Sequence, residues 1–341
     1  MGESASHSLE AFAFGADGLF FDPIGQPCVL IGTVEFQNFC HVLDETFDTP
    51  LGRRLIYAAT DAEERSLSTP KMFQFGRWFG RRRVERALRH RAKSMGWGWF
   101  EGQQILSPAH DGLTVGFSLA HAEHLSKSRY DLEWNQRSPE LIQTILTPKL
   151  GEMVPAPQAH RLNWSDTAKG ATSVGTLDLE LDVREAAFFS GEARSFFLPI
   201  DVLHHLISGL RGRPVRSMPS SSIAHIGEEF EEPDVFAAVV YAAMGAYKRT
   251  EHPLFLQTKD DWNGHLQSRL TMRGFGTVEV QKSLLNGDDH TRFLIRSPVP
   301  AMVAGTLLGM WQRAHGKRCV VSFGLDASGL IVKATEPVVD Y

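Results

Sequence analysis

The sequence predicts an α+β protein built from two tandem repeats. Three observations predict it. Ile56-Tyr57-Ala58-Ala59 returns as Val240-Tyr241-Ala242-Ala243, and Gly96-Trp97-Gly98 returns as Gly274-Phe275-Gly276. The offsets (241 − 57 = 184; 274 − 96 = 178) agree apart from small insertions and deletions. Phe36, Phe39 and Leu43, spaced for one helix face, return as Leu203, Leu206 and Leu210 at a constant offset of 167. Strand-like runs and helical runs follow one another around these motifs in the same order. The repeats are expected at 1–183, including an N-terminal leader, and at 184–341.

Residues 1–16 read as a loose leader. Gly18 to Phe21 and Cys28 to Ile31 read as short strands around the turn Asp22-Pro23-Ile24-Gly25. Thr33 caps the helix that carries Phe36, Phe39 and Leu43. A second helix is expected near Leu51 to Glu64, and a long basic one from about Arg77 to Met95. Trp97 to Leu106 and Leu113 to His121 are expected strands, joined by a turn near Pro108 to Gly112. Residues 122–137 look irregular. Pro139 suits a first helical turn, where its missing N–H costs nothing, ahead of Leu141, Ile142, Ile145 and Leu146. Arg161 to Trp164 is expected as a strand. Leu177 to Val183 alternates strictly between apolar and acidic residues, the pattern of a half-buried strand.

The cycle then restarts. Phe188-Phe189 and Phe196 to Leu198 match the opening strands, and Asp201 leads a helix. Residues 211–234, rich in Pro, Ser and Glu, form an insertion expected to be mobile. Helices follow at Val235 to Tyr247 and Trp262 to Met272. Strands are expected at Gly276 to Leu284 and Arg292 to Arg296, with Asn286-Gly287 as a hairpin signal. Pro300 opens a helix with Met302, Val303, Leu307 and Trp311. Arg318 to Phe323 and Leu330 to Ala334 close the fold around a turn at Asp326 to Gly329.

Composition bounds the function. A chain of 341 residues, 43% hydrophobic and 22% charged, is an ordinary globular protein of about two domains. A net charge of −5 argues against broad nucleic-acid binding. Cys28, Cys40 and Cys319 form neither a CxxC pair nor a disulfide framework, which suits a reducing cytoplasm. No apolar run reaches the ~18 residues of a membrane span. The N-terminus lacks the basic start of a secretory signal. Met1-Gly2 with Ser6 matches a myristoylation pattern, but no polybasic second anchor follows immediately.

The run Gly274-Phe275-Gly276-Thr277-Val278-Glu279-Val280 resembles the opening sheet strand of the 4-vinyl-reductase domain, and Ala304-Gly305-Thr306-Leu307-Leu308-Gly309-Met310 is similar to its later small-residue stretch. Asp17 to Phe21 and Leu51 to Tyr57 are similar to the sensing region that precedes such a domain in XylR-type aromatic-responsive activators. The resemblance implies an α+β fold shared with small subunits of TRAPP trafficking complexes: a four-stranded antiparallel sheet, backed by helices, around an apolar ligand cavity. It also implies that the two repeats pack as a pseudo-dimer, because single-copy relatives would dimerise. The zinc held by Glu and Cys in the aromatic sensors does not carry over, since the last hairpin here holds Ser322, Gly324 and Leu325 with Cys319 nearby. The absence of a P-loop segment and of a helix-turn-helix leads us to expect a chain that is not a full activator.

Candidate chemistry is sparse. His121-Ala122-Glu123-His124 would share a face on a helix, but they fall at the end of an expected strand, so even with His160 nearby they read as loop histidines and no metal site is expected. His204 and His205 point about 100° apart on a helix, one toward a pocket or core and the other toward solvent. Asp260-Asp261 and Asp288-Asp289-His290 read as wet turns, and Ser220-Ser221-Ser222 as a flexible loop. No GxGxxG fingerprint or acid–base pair stands out, and no cofactor is expected.

Two signals remain. Trp97, Trp99, Phe117 and Trp134 in the first repeat, with Phe275, Phe293 and Trp311 in the second, are residue types that line cavities for apolar or aromatic ligands, or fill a plain core. Alternation would place Trp97 and Trp99 on one strand face. Arg81, Arg82, Arg83 and Arg86 belong to a basic amphipathic segment over 77–93 that could grip an acidic protein partner, or cover the fold with arginine stems. The expectation is a non-enzymatic, cytoplasmic binding or sensory protein for an apolar small molecule, signalling through a partner. The alternatives are a scaffold of the trafficking-subunit type and an accessory protein of tetrapyrrole reduction.

Overall fold

The computed structural model describes residues 9, 11–75, 80–168, 173–176, 179, 181–184, 187–216, 223–250, 254–256, 258–284 and 287–337. It is α+β. The first half opens with strands β1 (Ala13–Gly15), β2 (Phe20–Phe21) and β3 (Pro27–Gly32). Helices α1 (Thr33–Thr46), α2 (Arg54–Ser68) and α3 (Gly80–Ser94) follow, then β4 (Trp99–Glu101), β5 (Gln104–Leu106), α4 (Asp111–Ser126), β6 (Tyr130–Ser138) and β7 (Leu141–Pro148). After β8 (Ser173–Thr176) and β9 (Asp182–Arg184) come β10 (Ala187–Ser190), β11 (Ala193–Pro199), α5 (Ile200–Ser208), β12 (Ile223–Ile226), α6 (Pro233–Lys248) and α7 (Lys259–Arg269). The chain ends with β13 (Thr277–Lys282), β14 (Thr291–Arg296), α8 (Pro300–His315), β15 (Val320–Asp326) and β16 (Gly329–Thr335).

Several expectations are corrected, and two of the corrections bring the halves into line. Leu113 to His121 is the body of helix α4 rather than a strand. Its residues are buried all round, so no face is polar enough to reveal the helical period. Leu141 to Leu146 is strand β7 rather than a helix: Ile142 and Thr144 point inward while Ile145 is exposed, a two-residue period. Irregularity was expected over 122–137, where α4 ends and β6 runs. Arg161 to Trp164 forms no strand. Residues 177, 178 and 180 of the alternating run, Asn286, and 217–222 of the insertion lie outside the described residues. Asp182 and Val183 belong to β9, which pairs with β10.

With those corrections each half runs hairpin, three helices, hairpin, helix, hairpin. The first half's sheet has the order β4-β5-β7-β6, and the second's has β13-β14-β16-β15 with β12 added parallel to β15. The third sheet has the order β8-β1-β2-β3-β11-β10-β9. At its centre β3 pairs antiparallel with β11, and Leu30 lies opposite Phe197. Leu30 and Phe197 are counterparts at the offset of 167, and the neighbouring pairs Ile31–Phe196 and Val29–Leu198 exchange under the same offset. The three pairs therefore map onto one another under that offset.

Packing is equally reciprocal. Helix α1 packs on α6, and α5 packs on α2, so each half's first helix lies on the other half's second helix. Gly96 sits under Phe188 of the second half, where an added Cβ would come within 2.5 Å of the ring. Gly274 sits under Phe20 of the first half, with a Cβ at 2.9 Å from its ring. Within the halves, α4 crosses α2 at Gly116, whose Cβ would lie 2.5 Å from the Ile56 carbonyl oxygen and 2.8 Å from Ala59 Cβ. Helix α8 crosses α6 at Gly305, against the Val240 carbonyl and Ala243 Cβ. The repeated Ile/Val-Tyr-Ala-Ala motif is thus the seat on which a glycine lets two helix backbones touch.

Gly116→Ala and Gly305→Ala are each expected to lower unfolding free energy by ~1–3 kcal/mol in urea titrations, because backbone must move. Gly264→Ala in α7, with open space around it, is expected to raise it by up to ~1 kcal/mol.

Candidate functional site

Two clefts open where the halves meet. The smaller, of about 540 Å³, is walled by Arg65 and Ser66 of α2, by Gln26 and Pro27 of the first hairpin, by Pro199, Asp201 and His204 of the β11–α5 junction, and by Arg161 and Asp166. The larger, of about 860 Å³, is walled by Arg249 and Thr250 after α6, by Ala193 and Arg194 of the second hairpin, by Gly32, Val34 and Glu35 of the β3–α1 junction, and by Arg269, Met272 and Arg273. Arg65 and Arg249 correspond at the offset of 184, as do Ser66 and Thr250. Gln26 and Ala193, Pro27 and Arg194, Gly32 and Pro199, and Val34 and Asp201 correspond at 167. The same elements build both clefts with the halves exchanged.

The smaller cleft is internally balanced. Asp201 Oδ1 accepts a hydrogen bond from Arg161 Nη2 at 3.2 Å, and its Oδ2 lies 3.4 Å from His205 Nε2 and 3.9 Å from Arg65 Nε. Burial alone would push the Asp201 carboxyl up, but His205, Arg161 and Arg65 bring it below the ordinary carboxylate range. Burial raises the Asp166 carboxyl despite the Ala168 backbone N–H that it accepts at 3.0 Å and the nearby charge of Arg161. His204 Nε2 lies 2.7 Å from Arg161 Nη1 and 2.8 Å from the Pro298 carbonyl oxygen, and its Nδ1 is buried with no hydrogen-bond partner. Both histidines are buried, which corrects the expectation that one meets solvent. The helix is covered on one flank by the segment carrying Arg161 and Ser165 and on the other by α2.

The larger cleft is cationic among its described residues. Arg273 Nη1 donates to Glu35 Oε2 at 3.0 Å, and Arg249 reaches Glu45 at 3.4 Å. Burial pulls Arg269 below the ordinary arginine range, and the neighbouring charge of Arg273 pulls it further. Leu30, Val34, Leu181 and Met272 supply apolar wall.

A third feature holds the first half together. Arg91 is buried and donates from Nη1 to Asp22 Oδ2 at 2.7 Å, from Nε to Glu63 Oε1 at 2.8 Å, and from Nη2 to Glu63 Oε2 at 3.0 Å. His121 Nε2 lies 3.0 Å from Glu63 Oε1. Asp22 Oδ1 accepts the backbone N–H groups of Ile24 and Gln26. Burial would raise the Glu63 carboxyl, but the charge of Arg91 and the hydrogen bonds from His121 and Arg91 hold it at about 2.

The aromatic residues singled out in the sequence do not converge on one cavity, and none lines either cleft. Trp97 stacks on Phe117 at 3.8 Å in the first half's core and donates Nε1–H to the Phe197 carbonyl. Phe275, Phe293 and Trp311 are buried in the second half's core, where Trp311 donates to Thr291 Oγ1. Trp134 is half-buried beside the Arg53 guanidinium. Trp99 is 38% exposed while Trp97 is fully buried, which corrects their placement on one face. Gly98 between them has φ +117°, so the pleat does not run through it.

Arg81, Arg82, Arg83 and Arg86 are exposed on α3, and Arg83 donates to the Gln74 carbonyl. His121 and His124 are buried on one face of a helix, not in a loop, and are occupied by Glu63 and the Phe73 carbonyl. His160 is exposed and does not join them. Among the described residues no group of three or more His, Cys, Asp or Glu could hold a metal ion. Asp260 and Asp261 are exposed, as expected, but they lie in the first turn of α7, where Asp261 shares a capping box with the N-cap Thr258. His290 is buried against Asp289. No helix among the described residues is long and apolar enough to cross a membrane.

No family model matches the chain, and no curated protein or solved structure matches it.

The cleft arginines escaped the sequence reading because they are scattered through the chain. One signal was available: Arg65 and Arg249 recur at the offset of the repeated tyrosines.

Arg91→Met is expected to cost ~3–5 kcal/mol in urea titrations, because two buried carboxylates lose their counter-charge. Glu63 titrates in the fold below its ordinary value of 4.5, so its ion pairing contributes fully above that pH and is lost as pH falls toward 2. Thermal melts should show Tm falling through this window, with a shallower fall in Glu63→Gln.

Proposed function

We propose that the chain is a tandem duplication of one α+β module, packed as a pseudo-dimer about the Leu30–Phe197 pair, and that it is a non-enzymatic small-molecule-binding protein. The ligand sits at the junction of the halves rather than inside either core. One observation carries this reading: the two clefts occupy corresponding positions and are built from corresponding residues. A homodimeric ancestor would have carried two identical sites there. The resemblance to the vinyl-reductase family supports a sensing role. Because the aromatic residues are engaged in packing, the apolar part of a ligand would rest on the cleft wall.

A ligand held between the halves would bias their relative packing, and any signal requires that it prefer one arrangement. The exposed arginines of α3 give such a signal an acidic protein surface to act on. They also favour a second reading, an adaptor that binds a partner without a ligand.

Native mass spectrometry of the full chain taken from its source cells tests the two. We expect one small molecule retained per chain and lost in Arg65→Ala/Arg249→Ala. A clean apo mass with a co-purifying protein would overturn the ligand reading in favour of the adaptor.

A further inference from the structure

We infer that the larger cleft is a site for a phosphate monoester bearing an apolar group, and that in the smaller cleft the side chain of Asp201 occupies the place of that phosphate. The inference rests on the reading that the clefts are copies of one ligand site.

In the smaller cleft the chain supplies its own anion. Asp201, the second residue of α5, brings its carboxylate to Arg161 and toward Arg65. The corresponding residue of α1 is Val34 (201 − 34 = 167), which has no charge and is 67% exposed. Arg249, the counterpart of Arg65, therefore has no carboxylate at the position of Asp201, and its partner is Glu45 at 3.4 Å. Its contact with Glu45 joins two substantially exposed side chains, a pairing worth little.

The larger cleft has meanwhile gathered more positive charge. Arg194 replaces Pro27 of the smaller cleft, and α7 with its following turn adds Arg269 and Arg273. Arg194 Nε is buried with no hydrogen-bond partner. Among the described lining residues four arginines stand against Glu35 and Glu192. Arg269 feels the like charge of Arg273, part of which Glu35 offsets at 3.0 Å, and an arriving anion would relieve the remainder. Guanidinium groups match phosphate oxygens in bidentate geometry, and a phosphate monoester offers three such oxygens and close to two negative charges. Leu30, Val34, Leu181 and Met272 lie in the same cleft and would take the ester's apolar group.

Isothermal titration of the full chain with octyl phosphate tests the assignment. We expect one site per chain, with octanol and inorganic phosphate each at least about tenfold weaker. Val34→Asp recreates the internal anion of the smaller cleft and should weaken octyl phosphate by about tenfold or more. Val34→Asn, of similar shape but neutral, should stay within about threefold of the parent. Val34 is exposed, so both variants keep the fold. Equal affinity for octanol, no binding of octyl phosphate, or equal effects of Asp and Asn would overturn the inference. Sedimentation with phosphatidic-acid vesicles in the absence of octyl phosphate binding would overturn it in favour of a membrane headgroup. Failure with octyl phosphate, while protein from source cells still carries a small molecule, removes this inference and leaves the junction-binding reading standing.

Discussion

The pairing of β3 with β11 is the constraint on which the rest of the structure depends. It joins segments about 167 residues apart, places Leu30 opposite its own counterpart Phe197, and makes one sheet from the opening strands of both halves. Once that register is fixed, α1 must start beside the second half and α5 beside the first. The exchanged helix contacts α1–α6 and α5–α2 follow, as do the exchanged glycine seats at Gly96 and Gly274. A slip of one residue would reverse the faces of one strand relative to the other, and both strands are buried on both sides. The clefts lie at the ends of these strands, so their geometry is inherited from the same register.

Against this shared frame the halves differ in how they hold themselves together. The first half ties its opening turn, α2, α3 and α4 to one buried guanidinium, Arg91, with Asp22, Glu63 and His121 around it. Such a cluster adds little net stability over an apolar core of equal volume, but it tolerates no partial loss. The corresponding region of the second half relies on apolar packing, with Trp262 edge-on to Phe293 and Trp311 also fully buried. The asymmetry reaches the clefts: Asp201 stands among the arginines of one, and Val34 takes the corresponding position in the other, whose four arginines outnumber Glu35 and Glu192.

Much of the fold was legible because the repeated motifs mark backbone constraints. Gly96 and Gly274 have positive φ and lie against a ring, so they admit no side chain, and Ala59 and Ala243 are small because a helix glycine rests on them. Helices α1 and α5 showed their period because one face of each is polar. Helix α4 did not, since a helix buried on all sides carries no periodic signal. Strand β7 was obscured by a short apolar run that fits either structure. The site was nearly illegible for a different reason. Its arginines come from separate elements, two in the smaller cleft and four in the larger, and the difference between the clefts turns on one position, Asp201 against Val34, whose meaning appears only when the two are set at the same place in space.

Strand β3 also poses a problem of timing. It is translated roughly 160 residues before β11, the strand that covers its edge. At about 5–20 residues per second the ribosome leaves that edge open for ~10–30 s. The exposed run is Val29-Leu30-Ile31, which is apolar and suited to joining another chain. Nascent chains on one messenger are therefore most exposed to pairing with one another during that interval, through the same edge that later closes the finished molecule.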